Sequence, residues 1–530
     1  IRPYFEAMMD FGDAVENASN PSNLTRLIHK IMATQRGAER AWLEGEFDTE
    51  DMENLYAVYL SNFNCGPDSF LLTYAEELMK DKPFLILELD EHGSEGGYLT
   101  RIEAFLDVVA SLGPRKSERS IRVLRPPQEE FKKRKIWLPP LHPTVTRLFA
   151  AAFRHFGYEA ESMPVEDQAA FERGRAAVRG SECLPTCSTV GQFLRLMDER
   201  QLDPSKQAFF MATANGPCRF GQYELLHRMV LDKAGYEDVP IMAPCSHNSY
   251  QGIEEDLRRL GWNGFVIGDI LYKARCKVAP YELEAGAADA ALERWVQQFE
   301  AAFEEGQKLE TVMQRAMEDF ATIPVRRVRK PLVGIVGEIY VRCNPFTNDD
   351  LVRSIESFGG EAWLAPVSEW FLYTAQNQAW FAREGLNGLA ARGLSVLKNR
   401  FMIKDEKHWY QVAGSFMADR HEPPMADVLA EGMPHIPLNF EGEAIITIGR
   451  AALFAKLDNV DMIVNAAPFG CMPGTLTTAI MRKLQDEMAI PVVGMFYDGT
   501  PGLNKTLEPF IESIRNRAAR EETRARSVRK

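Results

Sequence analysis

A cysteine-bearing Gly/Pro turn between an apolar run and a helical pattern recurs along this chain, and it constrains the fold more than any other feature. The first copy follows the apolar run 55–63 (LYAVYLSNF). Asn64-Cys65-Gly66-Pro67 interrupts that run, and Asp68-Ser69 opens a helical pattern at Phe70-Leu71-Leu72. The same device returns at Asn215-Gly216-Pro217-Cys218 and at Gly470-Cys471-Met472-Pro473-Gly474. Each copy reads as strand, turn, helix. A strand followed by a crossover helix leads back to a parallel neighbour, so the repeat predicts parallel sheets covered by helices. A fourth cysteine, Cys183 in Gly180-Ser-Glu-Cys-Leu-Pro185, stands between two helical patterns.

Strand and helix signals alternate through the rest of the chain. Residues 1 to about 50 read as helical, with an apolar stripe at Leu24, Ile28, Ile31 and Met32. Pro83–Leu89 reads as a buried strand, and Tyr98–Leu112 as a helix with Ile102, Phe105, Leu106 and Val109 inward. The charged, Pro-containing stretch 113–135 reads as a linker. Strands are then expected at 136–138, 158–163, 208–213 and 240–244, and a long helical region at 283–320. A third set of strands follows at 331–337, 362–366, 461–465 and 491–497. Thr347 or Asn348 caps a helix carrying Leu351, Val352, Ile355 and Phe358, which Gly359-Gly360 stops. The expected fold is α/β: multiple Rossmann-like, doubly wound parallel-sheet domains with helical insertions. The expected domains are 1–135, 136–325 and 326–530. Ligands in such sheets gather at the carboxyl ends of strands, where Cys65, Cys218 and Cys471 fall.

Composition excludes several classes. With 530 residues, the chain is long enough for three ordinary domains. A net charge of −14 argues against a nucleic-acid-binding face. No apolar run reaches the ~18 residues of a membrane span. Eight cysteines are too sparse for a secreted disulfide scaffold, which points to reduced thiols in a cytoplasm.

The setting of the cysteines suggests their chemistry. Helix N-termini carry partial positive charge and free N–H donors, so a cysteine there gains stabilisation of its thiolate and hydrogen bonds to its sulfur. Gly66, Gly216 and Gly474 let the backbone approach an inorganic core, and Pro67, Pro217 and Pro473 stiffen the loops. These are the features of an iron–sulfur site with Cys65, Cys183, Cys218 and Cys471 as ligands. Spacing alone carries less: there is no Cys-x2-Cys, and Cys183-x3-Cys187 is the one close pair. Cys245, Cys276 and Cys343 read as inert. Glu91 and His92, in a Gly-rich loop after a strand, are candidate proton carriers, or part of a capping turn for the helix at Tyr98. Glu338 and Arg342 read as an ion pair, and 498–504 as a turn that could also bind an anion. No Gly-x4-Gly-Lys-Ser/Thr is present, so no P-loop nucleotide site is expected.

Asn64–Phe70, Leu89–His92 with Thr100–Leu106, and Gly216–Tyr223 resemble the C-terminal part of the large acyl-CoA dehydratase activase-related proteins. Val336–Arg342 and Gly470–Gly474 are similar to the wider superfamily of 2-hydroxyacyl-CoA dehydratase components, benzoyl-CoA reductase subunits and double-cubane cluster proteins. The resemblance runs over nearly the whole chain. It implies an oxygen-sensitive iron–sulfur protein with Rossmann-like domains, whose strand-end cysteines hold a [4Fe-4S] or a double-cubane [8Fe-9S] cluster. The ligand role carries to Cys65, Cys183, Cys218 and Cys471, while Cys187 and Cys245 could complete a six-ligand set. It implies an ATP-hydrolysing activase partner of actin- and sugar-kinase-like fold, a small-molecule substrate such as an acyl-CoA, and a homodimer. The start at Ile1 fits a cut from a longer fusion. Two functions remain open: a reductase or dehydratase component with His92 and Glu91 as proton donors, or an electron relay without substrate. A zinc-stabilised module is a third.

Overall fold

The computed structural model describes residues 56–517, apart from 63–65, 67, 91–92, 116–125, 215–217, 246–249, 251, 327, 384–388, 458 and 489. The expected helical region 1–50 and the tail from 518 lie outside them. The fold is α/β with several parallel sheets. The chain divides into two compact units, residues 1–122 and 123–530.

In the first unit, strands β1 (Ala57–Asn62) and β2 (Phe84–Leu89) pair in parallel through the crossover helix Asp68–Leu78. Asp68, in the first turn of that helix, accepts hydrogen bonds from Tyr59 Oη (3.0 Å) and Ser61 Oγ (2.6 Å), which fix the strand to the helix start. Ser94 caps the next helix, Glu95–Leu112, by accepting from Gly97 N. That helix buries none of its residues. Leu106, expected inward, is 43 % exposed, while Ile102, Phe105 and Val109 are half-buried. Its apolar stripe is present, but the described residues of this unit do not bury it.

The second unit holds two four-stranded parallel sheets. The first joins β3 (Lys135–Leu138), β4 (Glu159–Ser162), β5 (Gln207–Phe210) and β6 (Ile241–Met242) in the order β4-β3-β5-β6. The second joins β7 (Leu332–Gly337), β8 (Glu361–Leu364), β9 (Val460–Pro468) and β10 (Val492–Tyr497) in the order β10-β9-β7-β8. Numbered within each sheet, both orders are 2-1-3-4. The direction of winding therefore reverses between β3 and β5, and between β7 and β9, and such switch points are where α/β sheets open a crevice.

The expected domains 136–325 and 326–530 each own one sheet, but one hydrophobic core runs through both, from Val145 to Ile514. The helix Glu255–Val278, which sequence analysis leaves unread, joins them. It packs on Pro143–His155 and on β8. Gly261, Gly264 and Gly268 line its contact with Pro143–His155. A Cβ on Gly268 would meet Val145 Cγ2 at 2.9 Å, so the axes approach closely only because the residues are small. The single helical region expected at 283–320 is two helices, Ala287–Glu304 and Leu309–Thr322. The N-cap residue of Leu351–Ser357 is Asp350, not Thr347 or Asn348 as expected, although Asn348 Oδ1 accepts from the first helical amide, Leu351 N (3.0 Å). Among the described residues no helix is long and apolar enough to cross a membrane.

Candidate functional site

Three of the four singled-out cysteines stand at helix starts in the second unit. Cys183 is the N-cap residue of Leu184–Arg200, with extended backbone (φ −66°, ψ 145°), and Pro185 sits in the first turn. The helix begins at once after Cys183. Close packing against Gln168–Arg175 holds it in place: a Cβ on Gly174 would lie 1.9 Å from the Cys187 carbonyl oxygen, and one on Gly191 would lie 2.1 Å from that of Ala170. Cys218 is the N-cap residue of the 3-10 turn Arg219–Gln222, which runs into Tyr223–Lys233. Cys471 directly precedes Met472–Met488. Cys218 follows β5 and Cys471 follows β9, so these two thiols mark the switch points of both sheets.

The three thiols share one interior. Cys183 is 6 % and Cys471 4 % exposed, and Cys218 is half-buried. Burial pushes the Cys218 thiol well up, and the charges of Glu443, Cys183 and Glu338 add to that. The Cys471 thiol is pushed well up by burial, then by Glu443, Glu338, Cys218 and Cys183. Burial also raises Cys183, opposed by the positive charge of Arg219 and by a hydrogen bond from the Tyr223 hydroxyl. Residues far apart in sequence thus act electrostatically as one group of acids.

Arg219 ties the turns together. Its Nη1 donates to Ser181 O (3.1 Å), two residues before Cys183, and its Nη2 donates to Gly470 O (2.6 Å), one residue before Cys471. Gly474 N donates to Cys471 Sγ at 3.3 Å, an amide of the helix start turned onto sulfur. Gly474 must be small: a Cβ there would sit 2.5 Å from Ala467 Cβ and 3.4 Å from Cys471 Sγ.

Two carboxyl groups, the half-buried Glu338 and the buried Glu443, complete the interior. Glu338 follows β7 and accepts from Tyr340 N (3.1 Å) and Val341 N (2.8 Å). Glu443 accepts from Ile339 N (3.2 Å). Burial raises both, and the charge of Glu338 helps push Glu443 up to about 8. The expected Glu338–Arg342 ion pair does not form. Arg342 instead donates to Gly337 O (2.8 Å) and Pro366 O (2.9 Å) and faces Glu369 at 3.8 Å. Glu338 goes to amides because they lie at the end of its own strand, whereas a guanidinium four residues on reaches carbonyls across the sheet end. The charge of Arg342 still bears on both carboxyl groups.

The remaining positions separate clearly. Cys65, Gly216, Glu91 and His92 lie outside the described residues. Gly66 O accepts from Ser69 Oγ (2.7 Å) in the first unit. Cys187 sits one turn into the Cys183 helix, and burial pushes it up to about 12. Cys276 and Cys343 are buried thiols, each also raised to about 12. Cys245 forms a parallel bridge with Thr213 beyond the ends of β5 and β6. The 498–504 segment is a turn: Asp498 Oδ1 accepts from Thr500 N (2.8 Å), and Asn504 is tied to Asn348 O and Asp349 O. Sequence reasoning did not assign Arg219, Tyr223 or Glu443 to this interior. For Arg219 and Tyr223 the signal was adjacency to Cys218, while Glu443 offered none.

The donor set suits an inorganic cluster. Buried thiols are costly to ionise unless a cation replaces their protons, and three of them at helix starts are the residues that would supply thiolate ligands. Among the described residues no three Cys, His, Asp or Glu side chains are grouped tightly enough for a single metal ion. No protein-family model matches the chain, and no curated protein matches it.

Proposed function

We propose that this chain is an iron–sulfur protein resembling the electron-accepting component of ATP-dependent 2-hydroxyacyl-CoA dehydratase and reductase systems. The observation that supports the reading best is the meeting of Cys183, Cys218 and Cys471, three separate helix starts, in one buried interior. The proposed cofactor is [4Fe-4S] or a double cubane, to which these three thiolates would be ligands; Cys65, the fourth expected ligand, lies outside the described residues. When bound, it supplies single-electron transfer at low potential. Around it, Gly474 N–H and the Tyr223 hydroxyl hydrogen-bond ligand sulfurs. Arg219 holds two ligand turns at fixed separation. Burial keeps water from the Cys183 and Cys471 sulfurs. The proposed electron donor is an ATP-hydrolysing activase, the acceptor a small molecule such as an acyl-CoA, the assembly a homodimer and the compartment the cytoplasm.

The test is anaerobic purification with iron and acid-labile sulfide counts and EPR, on the wild type and on Cys183→Ser, Cys218→Ser and Cys471→Ser. Each variant is expected to lose iron and sulfide together while keeping its circular dichroism. Unchanged metal content in all three, or zinc without sulfide in the wild type, would overturn the reading.

A further inference from the structure

The helix Leu389–Ala413 buries one side of its described turns and leaves the other bare. Asn399, Glu406, Trp409 and Tyr410 are buried, where the helix packs on Ser368–Arg383, Glu255–Val278 and Leu309–Thr322. On the opposite side Leu397 and Phe401 are each 51 % exposed. Singly an exposed apolar side chain is ordinary, but these two stand on successive turns, and an apolar strip rimmed by polar residues marks a contact surface. Arg400, Lys404 and Lys407 are exposed beside them. None of the three pairs with a carboxylate among the described residues. The acids nearest this face serve other groups: Asp405 faces Arg259 at 4.0 Å, and Glu310 faces His408 at 3.3 Å. Such a row stands out in a chain whose acids outnumber its bases, 75 to 61. Arginines on other helix surfaces, such as Arg147 and Arg195, each hold two carboxylates.

The spacing indicates the shape that fits. Leu397, Phe401, Lys404 and His408 recur at intervals of four, three and four residues, which sets them along one seam able to face a second helix. Arg400 and Lys407 flank that seam one heptad apart, at the position whose charge selects the partner helix. Unpaired cations beside an apolar seam match carboxylates beside apolar residues. An extended polyanion fits less well, because a net charge of −14 repels it at long range, whereas a short acidic helix needs only this local row. A membrane surface needs a broader apolar face than Leu397 and Phe401 offer. A second copy of this chain would bring the same net negative charge.

We propose that this face docks an acidic amphipathic helix of a partner protein. Leu397 and Phe401 take its apolar residues, and Arg400, Lys404 and Lys407 take its carboxylates. The contact uses none of the cysteine turns, so it stands whether or not the chain holds a cluster.

The test is fluorescence anisotropy of a labelled synthetic helix, with leucine along one seam and glutamate on both flanks, titrated with the full chain. A matched helix with lysine in place of glutamate, a DNA duplex and phosphatidylglycerol vesicles are titrated in parallel. The glutamate helix is expected to bind, and the lysine helix to bind at least tenfold more weakly. Arg400→Glu, Lys404→Glu and Lys407→Glu together should weaken binding about tenfold, as should Leu397→Ser with Phe401→Ser. All five side chains are exposed, so both variants should keep the wild-type circular dichroism. Added salt should weaken binding to the wild type. No binding of the glutamate helix, equal binding of the lysine helix, or binding unchanged in either variant would overturn the proposal. So would tighter binding of DNA or vesicles, or sedimentation in which Phe401→Ser splits a homodimer, which would give the face to a second copy.

Discussion

Replacing Arg219 tests whether one guanidinium holds the two cysteine turns together. The side chain is 8 % exposed and bonds Ser181 O and Gly470 O. Hydrogen bonds from a charged donor contribute about 1.5–3 kcal/mol each, so Arg219→Met removes about 3–6 kcal/mol of local restraint. The lower figure corresponds to roughly a hundredfold increase in local opening. The amides to watch are Thr186 N, bonded to Cys183 O (3.0 Å), and Cys471 N and Thr475 N, bonded to Pro468 O (3.0 Å) and Cys471 O (2.9 Å). Hydrogen exchange by mass spectrometry should accelerate in both segments, and less in Arg219→Lys, whose compact ammonium replaces the planar fork that spans two carbonyls. The Cys183 thiol should also titrate higher in Arg219→Met, because the opposing positive charge is gone. Acceleration in neither turn, or in only one of them, would refute the clamp.

Two further outcomes follow from the buried groups. Glu166, 4 % exposed, accepts from Tyr340 Oη and from Asn344 Nδ2 (2.8 Å), and burial pushes it up to about 7 from an ordinary value of 4.5. A carboxyl group raised in the folded state holds its proton longer there than in the unfolded chain, so its contribution is complete below pH 4.5 and is lost as pH rises through 7. The shift corresponds to about 3 kcal/mol, so Glu166→Gln should flatten the fall in urea-unfolding free energy between pH 5 and pH 8. An equal fall in both proteins would remove the assignment. Gly474→Ala forces a Cβ to within 2.5 Å of Ala467 Cβ and should lower stability by about 1–3 kcal/mol in thermal unfolding. It should also lengthen the Gly474 N–H contact to Cys471 Sγ, and an unchanged Tm would show that the helix shifts freely.

Much of the architecture was legible locally. The apolar run at Pro331–Gly337 becomes β7, buried throughout, because β-rich residues between turn signals have no other low-energy use. Asn348 accepts the first amide of its helix, although the N-cap position itself falls two residues later, at Asp350. Cys183, Cys218 and Cys471 stand at helix starts because Gly, Pro and the end of an apolar run terminate one element and open the next. The helix Glu255–Val278 was missed because burial on nearly every side erases the polar face that periodicity relies on. The Glu95–Leu112 helix shows the reverse: its apolar stripe promised a core that the described residues of the first unit do not build.

Local preference, a matter of a few neighbouring residues, thus settled where strands and helices begin and where the cysteines sit on them. Which of those cysteines lie together and which carboxyl groups stand beside them depended on the tertiary structure. Crossovers of dozens to hundreds of residues bring these groups together, and only burial turns their proximity into strong electrostatic coupling.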